Sequence, residues 1–191
     1  MAKFFGNLHL VLAVGLLLAV GVMVGYAPDV PFNGNSLFRW LHVFFGILWI
    51  GLLYYLNFVQ VPTMPSVPAE LKKGVTGYIA PKVFFFFRHA ALLTVITGLV
   101  VAYLSGYVHR ALILQGLNAN ENLIGIGMWM ALIMAFNVWF LIWPAQKKIL
   151  GIVEASDEAK AKAAPVALAA SRTNLLLSLP MLYCMVSANM G

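Results

Sequence analysis

The stretch from Arg39 to Met64, RWLHVFFGILWIGLLYYLNFVQVPTM, most limits what this chain can fold into. It holds about 20 nearly uncharged residues, enough to cross a bilayer as a helix. Its special residues are ordered along it. His42, Gly46, Trp49, Leu53, Asn57 and Gln60 recur at steps of four, three, four, four and three. That spacing puts them on one helical stripe. A histidine, two amides and a glycine on one side of a membrane helix are expected to face protein rather than lipid. The stripe reads either as a packing face with satisfied polar groups or as a cofactor or electron-transfer site.

Composition extends this to the whole chain. Charged residues make up 9% and hydrophobic ones 62%, whereas soluble proteins carry about 25% charged residues. The expected fold is an all-α integral membrane protein, a five-transmembrane-helix bundle forming a single transmembrane domain over residues 1–191. The expected spans are 4–26, 37–61, 83–107, 123–143 and 166–187. The N-terminal apolar run is too long for a signal h-region and is read as a retained helix. Pro28, Pro31 and Gly34 break the first connection; Pro62, Pro65, Pro68 and Pro81 break the second; Gly116 and Asn118 lie in the third. The helix formers after Ala145 are expected to extend the fourth helix into the cytoplasm, with a turn near Pro165.

The basic residues orient the bundle. This topology places Lys3, Lys72, Lys73, Lys82, Arg88, Lys147, Lys148, Lys160, Lys162 and Arg172 on one side, and Arg39 and Arg110 on the other. The bias predicts a cytoplasmic N-terminus in a multi-pass protein of the bacterial inner membrane. It also accounts for the net charge of +6 without nucleic acid as a partner. The lipid bilayer is the expected partner. Cys184 is the one cysteine, which excludes a disulfide framework, a cysteine-cluster metal site and a CxxCH haem motif. None of the six acidic residues lies deep in an expected span, which argues against a proton-coupled transporter.

Two sets of candidate residues emerge. Asn57, His89, Asn137 and Asn174 are expected to converge on a polar cavity in the inner half of the bundle. His42 stands near the outer end of its helix, and Gly46, one turn on, leaves room for a flat ligand. Histidine is a common haem-iron ligand, and facing helices of bundles hold cofactors. His42 and His89 differ in depth by roughly 10–18 Å, so they share one haem only with strong tilt. Pairing His9 with His89 and His42 with His109 is the alternative. On the third span, Ala90, Thr94, Gly98, Ala102 and Ser105 form a small-residue stripe read as packing. The run Phe84–Phe87 surrounds its helix, so part of it must meet lipid. On the last span Ser171, Asn174, Ser178, Met181 and Met185 recur at steps of three, four, three and four, and the methionines of that stripe are read as core.

At these motifs the chain resembles the membrane domain of the bacterial urate oxidase (urate hydroxylase) family. The matching blocks are RWLHVFFGILWIGLLYY from Arg39 to Tyr55, FNVWFLIWPAQKK from Phe136 to Lys148, and SRTNLLLSLPML from Ser171 to Leu182, together with the Phe87–Gly98 stretch. Similar histidine-bearing helices occur in short membrane protoporphyrinogen oxidases and copper-resistance D proteins. The resemblance implies a membrane redox protein with His42 as the carried-over position. Longer urate oxidases end in a cytochrome c domain, which these 191 residues do not contain. Direct urate oxidation by this chain alone is therefore not expected. The expected function is that of a small cytochrome b-like redox protein or subunit holding non-covalent haem b, with a redox partner. The candidate cofactor-binding residues are His42, His89, Gly46, Trp49, Asn57, Asn137 and Asn174, and His42 and His89 are the candidate iron ligands. The competing expectation is a non-enzymatic accessory subunit of a larger membrane complex or homo-oligomer.

Overall fold

The computed structural model describes residues 2–25 and 33–188, and among these the secondary structure is helical, with no strand. Tyr26, Pro28 and Pro31, at the end of the first expected span and in its connection, lie outside the described residues. The chain divides into two compact units, one up to Leu37 and one from Phe38.

In the first unit a turn at Ala2–Phe5 precedes α1, Leu8–Gly25. Asn7 caps α1, its Oδ1 accepting from the Leu10 amide at 3.1 Å. The next helix, α2, runs over Gly34–Ser66. It starts on a reciprocal cap: Asn33 Oδ1 accepts from the Ser36 amide, and Ser36 Oγ accepts from the Asn33 amide.

The second unit contains the rest of α2, then α3 (Ala69–Leu104), α4 (Val108–Leu112), α5 (Ala119–Ile149) and α6 (Asp157–Ser187). Helices α1, α2, α3 and α5 are long and apolar enough to cross a membrane. Helix α6 is equally long, but Ser171, Arg172 and Asn174 interrupt its apolar run. The core joins α2, α3, α5 and α6 through fully buried Trp49, Leu53, Phe87 and Met134, with buried Ala170 and Met181 from α6. Phe84 and Phe87 point into this core, whereas Phe85 and Phe86 are about half exposed. Large apolar side chains cover the outside of the unit, among them Ile47, Phe58, Phe140, Leu176 and Leu179. That surface suits lipid contact.

Three π-helical segments interrupt the long helices: Tyr55–Gln60, Val75–Ile79 and Asn137–Ile142. Each ends two residues before a proline, namely Pro62, Pro81 and Pro144. The cause is local. A proline ring clashes with the carbonyl four residues back and offers it no N–H. Widening the preceding turn relieves the clash, so the residue before each proline bonds five residues back: Val61 to Leu56, Ala80 to Val75, and Trp143 to Val138. The two widened turns in α2 and α5 both carry a buried asparagine, Asn57 and Asn137.

The expected turn at Pro165 is corrected. Proline 165 lies inside α6, and the chain reverses at Gly151 instead. Gly151 takes a φ of +70°, where a glycine has no steric penalty. The Ile152 amide reaches back to the Lys147 carbonyl and the Gly151 amide to that of Lys148, closing α5 with a Schellman motif. Ser156 then caps α6 through the Ala159 amide.

On the other face of the unit, Arg110 of α4 forms a two-pronged pair with Glu121 of α5, at 2.9 and 2.8 Å. Glu121 Oε2 also accepts from the Leu117 amide, so one carboxylate gathers α4, the loop and α5. Gly125 lets the Ala111 carbonyl approach α5, a place where a β-carbon would collide with it.

Candidate functional site: a histidine cavity and a buried amide cluster

Helices α2, α3, α5 and α6 surround a cavity of about 750 Å³, within the ~300–1,000 Å³ range of pockets for organic ligands. His42, Gly46 and Trp49 of the α2 stripe line it, as do Arg39, Tyr54, Thr94, Gly98, Tyr107 and three methionines, Met128, Met181 and Met185.

His42 is fixed by α3. Its Nδ1 lies 2.8 Å from the Thr94 carbonyl oxygen. A carbonyl only accepts, so Nδ1 carries the proton and Nε2 keeps its lone pair. No residue among those described hydrogen-bonds that Nε2. An imidazole held by one nitrogen, with the other free, is the usual preparation of a metal ligand. Gly98 gives the ring its space, and Gly46 faces Thr94 with room to spare. The third-span stripe therefore does more than pack: Thr94 and Gly98 position the histidine. A carbonyl partner has no side-chain signature, so only the shared face of Thr94 and Gly98 hinted at it. Ser105 is exposed and stands outside this face.

Trp49 is completely buried, and its indole N–H has no acceptor among the described residues. An unpaired buried donor is costly, about 1–3 kcal/mol, unless something not yet in place receives it.

The amide residues form a second cluster around α6. Asn137 Nδ2 donates to Asn174 Oδ1 at 2.9 Å, and Asn174 Nδ2 donates to the Met134 carbonyl at 2.9 Å. Asn57 Nδ2 donates to Ser171 Oγ at 3.0 Å and to the Leu53 carbonyl. The Tyr54 hydroxyl meets Ser178 Oγ at 3.1 Å. Ser171, Asn174 and Ser178 share one face of α6, and Asn57 and Asn137 are brought against that face. Ser171 and Ser178 belong to the sequence stripe of α6 but not to the candidate cofactor-binding residues, and Tyr54 belongs to neither. The three-and-four spacing with Asn174 marks the two serines; Tyr54 carried no such mark.

His89 goes elsewhere. Its Nδ1 bonds the Phe85 carbonyl at 2.7 Å within its own helix, and its ring packs against Phe85 and the edge of Trp139. It does not line the His42 cavity. It lies five residues before Thr94, about 8 Å along α3. Beside it, the Arg88 guanidinium stacks 3.8 Å over Trp143, and the Trp139 indole donates to the Arg88 carbonyl. Arg88 thus meets aromatic rings. His109 is exposed on α4, and His9 belongs to α1 in the first unit.

The fold and this arrangement define a class: a helical protein with membrane-length apolar helices and a histidine-bearing cavity between three of them and α6. The family described as urate oxidase N-terminal matches residues 84–191, and the chain belongs to that family. The match takes in Thr94, Gly98, Asn137 and Asn174; His42 precedes it. No curated protein and no solved structure matches the chain.

Proposed function

We propose that the chain is a membrane haem b protein, a redox component that holds haem non-covalently in the His42 cavity. The observation that carries this reading is the free Nε2 of a histidine pinned through Nδ1 beside a cavity of about 750 Å³. The lining fits the group. Gly46 and Gly98 withhold side chains beside His42, the walls are mainly apolar, and Arg39 supplies a cation for a carboxylate-bearing ligand.

His42 would hold the iron through Nε2, with the Thr94 carbonyl keeping its tautomer and orientation. Bound haem supplies one-electron transfer. Met128, Met181, Met185, Tyr54 and Tyr107 are the other lining side chains whose donor atoms would suit iron. His89 and His109 stay outside this assignment because neither lines the cavity.

The same proposal places the chain in a bacterial inner membrane as one transmembrane domain of five spans, α6 being the fifth, with a cytoplasmic N-terminus. Ten basic residues against two support that orientation. A redox partner, within a homo-oligomer or larger complex, exchanges the electron.

The test is the haem content of the purified full chain, read as a pyridine haemochrome and as a dithionite-reduced minus oxidised spectrum. Haem near one per chain supports the reading. Protein that stays colourless after expression with excess haem precursor overturns it and favours the non-enzymatic accessory subunit.

A further inference from the structure

Away from the His42 cavity, α5 and α6 leave an open groove of about 350 Å³ beside their contact. Small residues make it. Ala145, Ala163 and Ala167 form a buried cluster where the two helices meet. Pro144, Ala159 and Ala163 line the groove with short side chains, so space is left over them. Phe140, Leu141 and Val166 also line it, and all three are exposed.

Charge is ordered along this groove. Lys148 and Lys162 line it toward the chain reversal at Gly151. Lys148 follows Phe140 by about 12 Å of helix, and Lys162 precedes Val166 by about 6 Å. Lys148 is exposed and makes no ion pair among the described residues. Lys162 pairs with Glu158 at 2.6 Å, but the two side chains are 76% and 77% exposed. An ion pair so open to water holds its lysine weakly. Glu154, Asp157 and Glu158 are the acids of this region, and none of them lines the groove.

We propose that this groove takes an anionic phospholipid, its phosphate between Lys148 and Lys162 and an acyl chain along Phe140, Leu141 and Val166. Basic pockets between membrane helices suit such headgroups. A zwitterionic lipid brings its own ammonium, which competes with the lysines; an anionic one does not. A free phosphate would leave the apolar length of the groove unused. The site rests on the chain lying in a membrane, and neither on haem nor on which way the bundle faces.

Native mass spectrometry of the purified full chain tests this, with phosphatidylglycerol and phosphatidylcholine of matched acyl chains added in equal amounts. The expected result is a single retained phosphatidylglycerol, bound several-fold more often than phosphatidylcholine. Lys148→Gln and Lys162→Gln together should lower it to the phosphatidylcholine level. Lys72→Gln and Lys73→Gln remove the same charge from α3, outside the groove, and should leave it unchanged. Glu158→Gln frees Lys162 and should raise retention. Lys148, Lys162 and Glu158 are exposed, so these changes leave the packing intact. Equal retention of the two lipids overturns the proposal, as does an equal fall in both lysine pairs. So does full displacement of the lipid by glycerol phosphate, which would mark a phosphate site with no use for the acyl chain. A chain that stays in solution without detergent would remove the membrane reading itself; one that needs detergent but prefers neither lipid removes the site alone.

Discussion

The imidazole of His42 lies directly against Gly98. A β-carbon at residue 98 would stand 2.7 Å from Cε1 and 2.9 Å from Nδ1 of that ring. The contact joins α2 to α3 at the place where the Thr94 carbonyl holds the same ring.

Gly98→Ala should therefore push the imidazole off its carbonyl partner. Overpacking of this kind costs about 1–3 kcal/mol. The expected outcome is a lower unfolding temperature in detergent and, on the haem reading, reduced haem occupancy. Gly46→Ala is the control, because its added carbon meets only Thr94 Cγ2 at an ordinary 3.9 Å. It should leave stability nearly unchanged.

The Asn137–Asn174 pair joins α5 to α6 in the dry core. Asn174→Ala removes a donor and an acceptor together, leaving Asn137 Nδ2 without its acceptor, while the Met134 carbonyl keeps the Asn137 backbone N–H. The expected loss is about 1–3 kcal/mol for the donor left unsatisfied. Thermal unfolding of both single variants and the double variant measures it. The double variant should be less destabilised than the sum, because the two residues share one bond.

Much of this cluster was legible in the sequence, and the reasons are physical. Asn57, Asn137 and Asn174 recur with apolar neighbours at helical spacing, and burial forces such amides to find partners. Which partner each finds depends on the register between helices, which no single helix encodes. So Asn57 took Ser171, Asn137 took Asn174, and His89 took its own helical turn. The widened turns had a local signal in Pro62, Pro81 and Pro144. The break at Gly151 had one too in its glycine, whereas Pro165 is accommodated inside α6.

The Arg110–Glu121 pair should hold the loop between α4 and α5. Its carboxylate also receives the Leu117 amide. Glu121→Gln keeps the shape but loses the charge-assisted bonds. Faster proteolytic cleavage within residues 113–118 is the expected outcome, with the distant α2–α6 contacts unaffected.

The orientation proposed from the basic residues has its own check. A cysteine placed near Asn33 should react with an impermeant reagent added outside intact cells, and one near Lys160 should not. The reverse pattern would invert the topology.

The most direct measurement for the haem account is the optical spectrum of His42→Gly, recorded with and without added imidazole. Removing the side chain opens a space beside Gly98 and Thr94 that free imidazole can enter. The account predicts that the variant inserts in the membrane and loses the wild-type Soret band, and that imidazole restores it. A wild-type spectrum retained by His42→Gly without imidazole would contradict it.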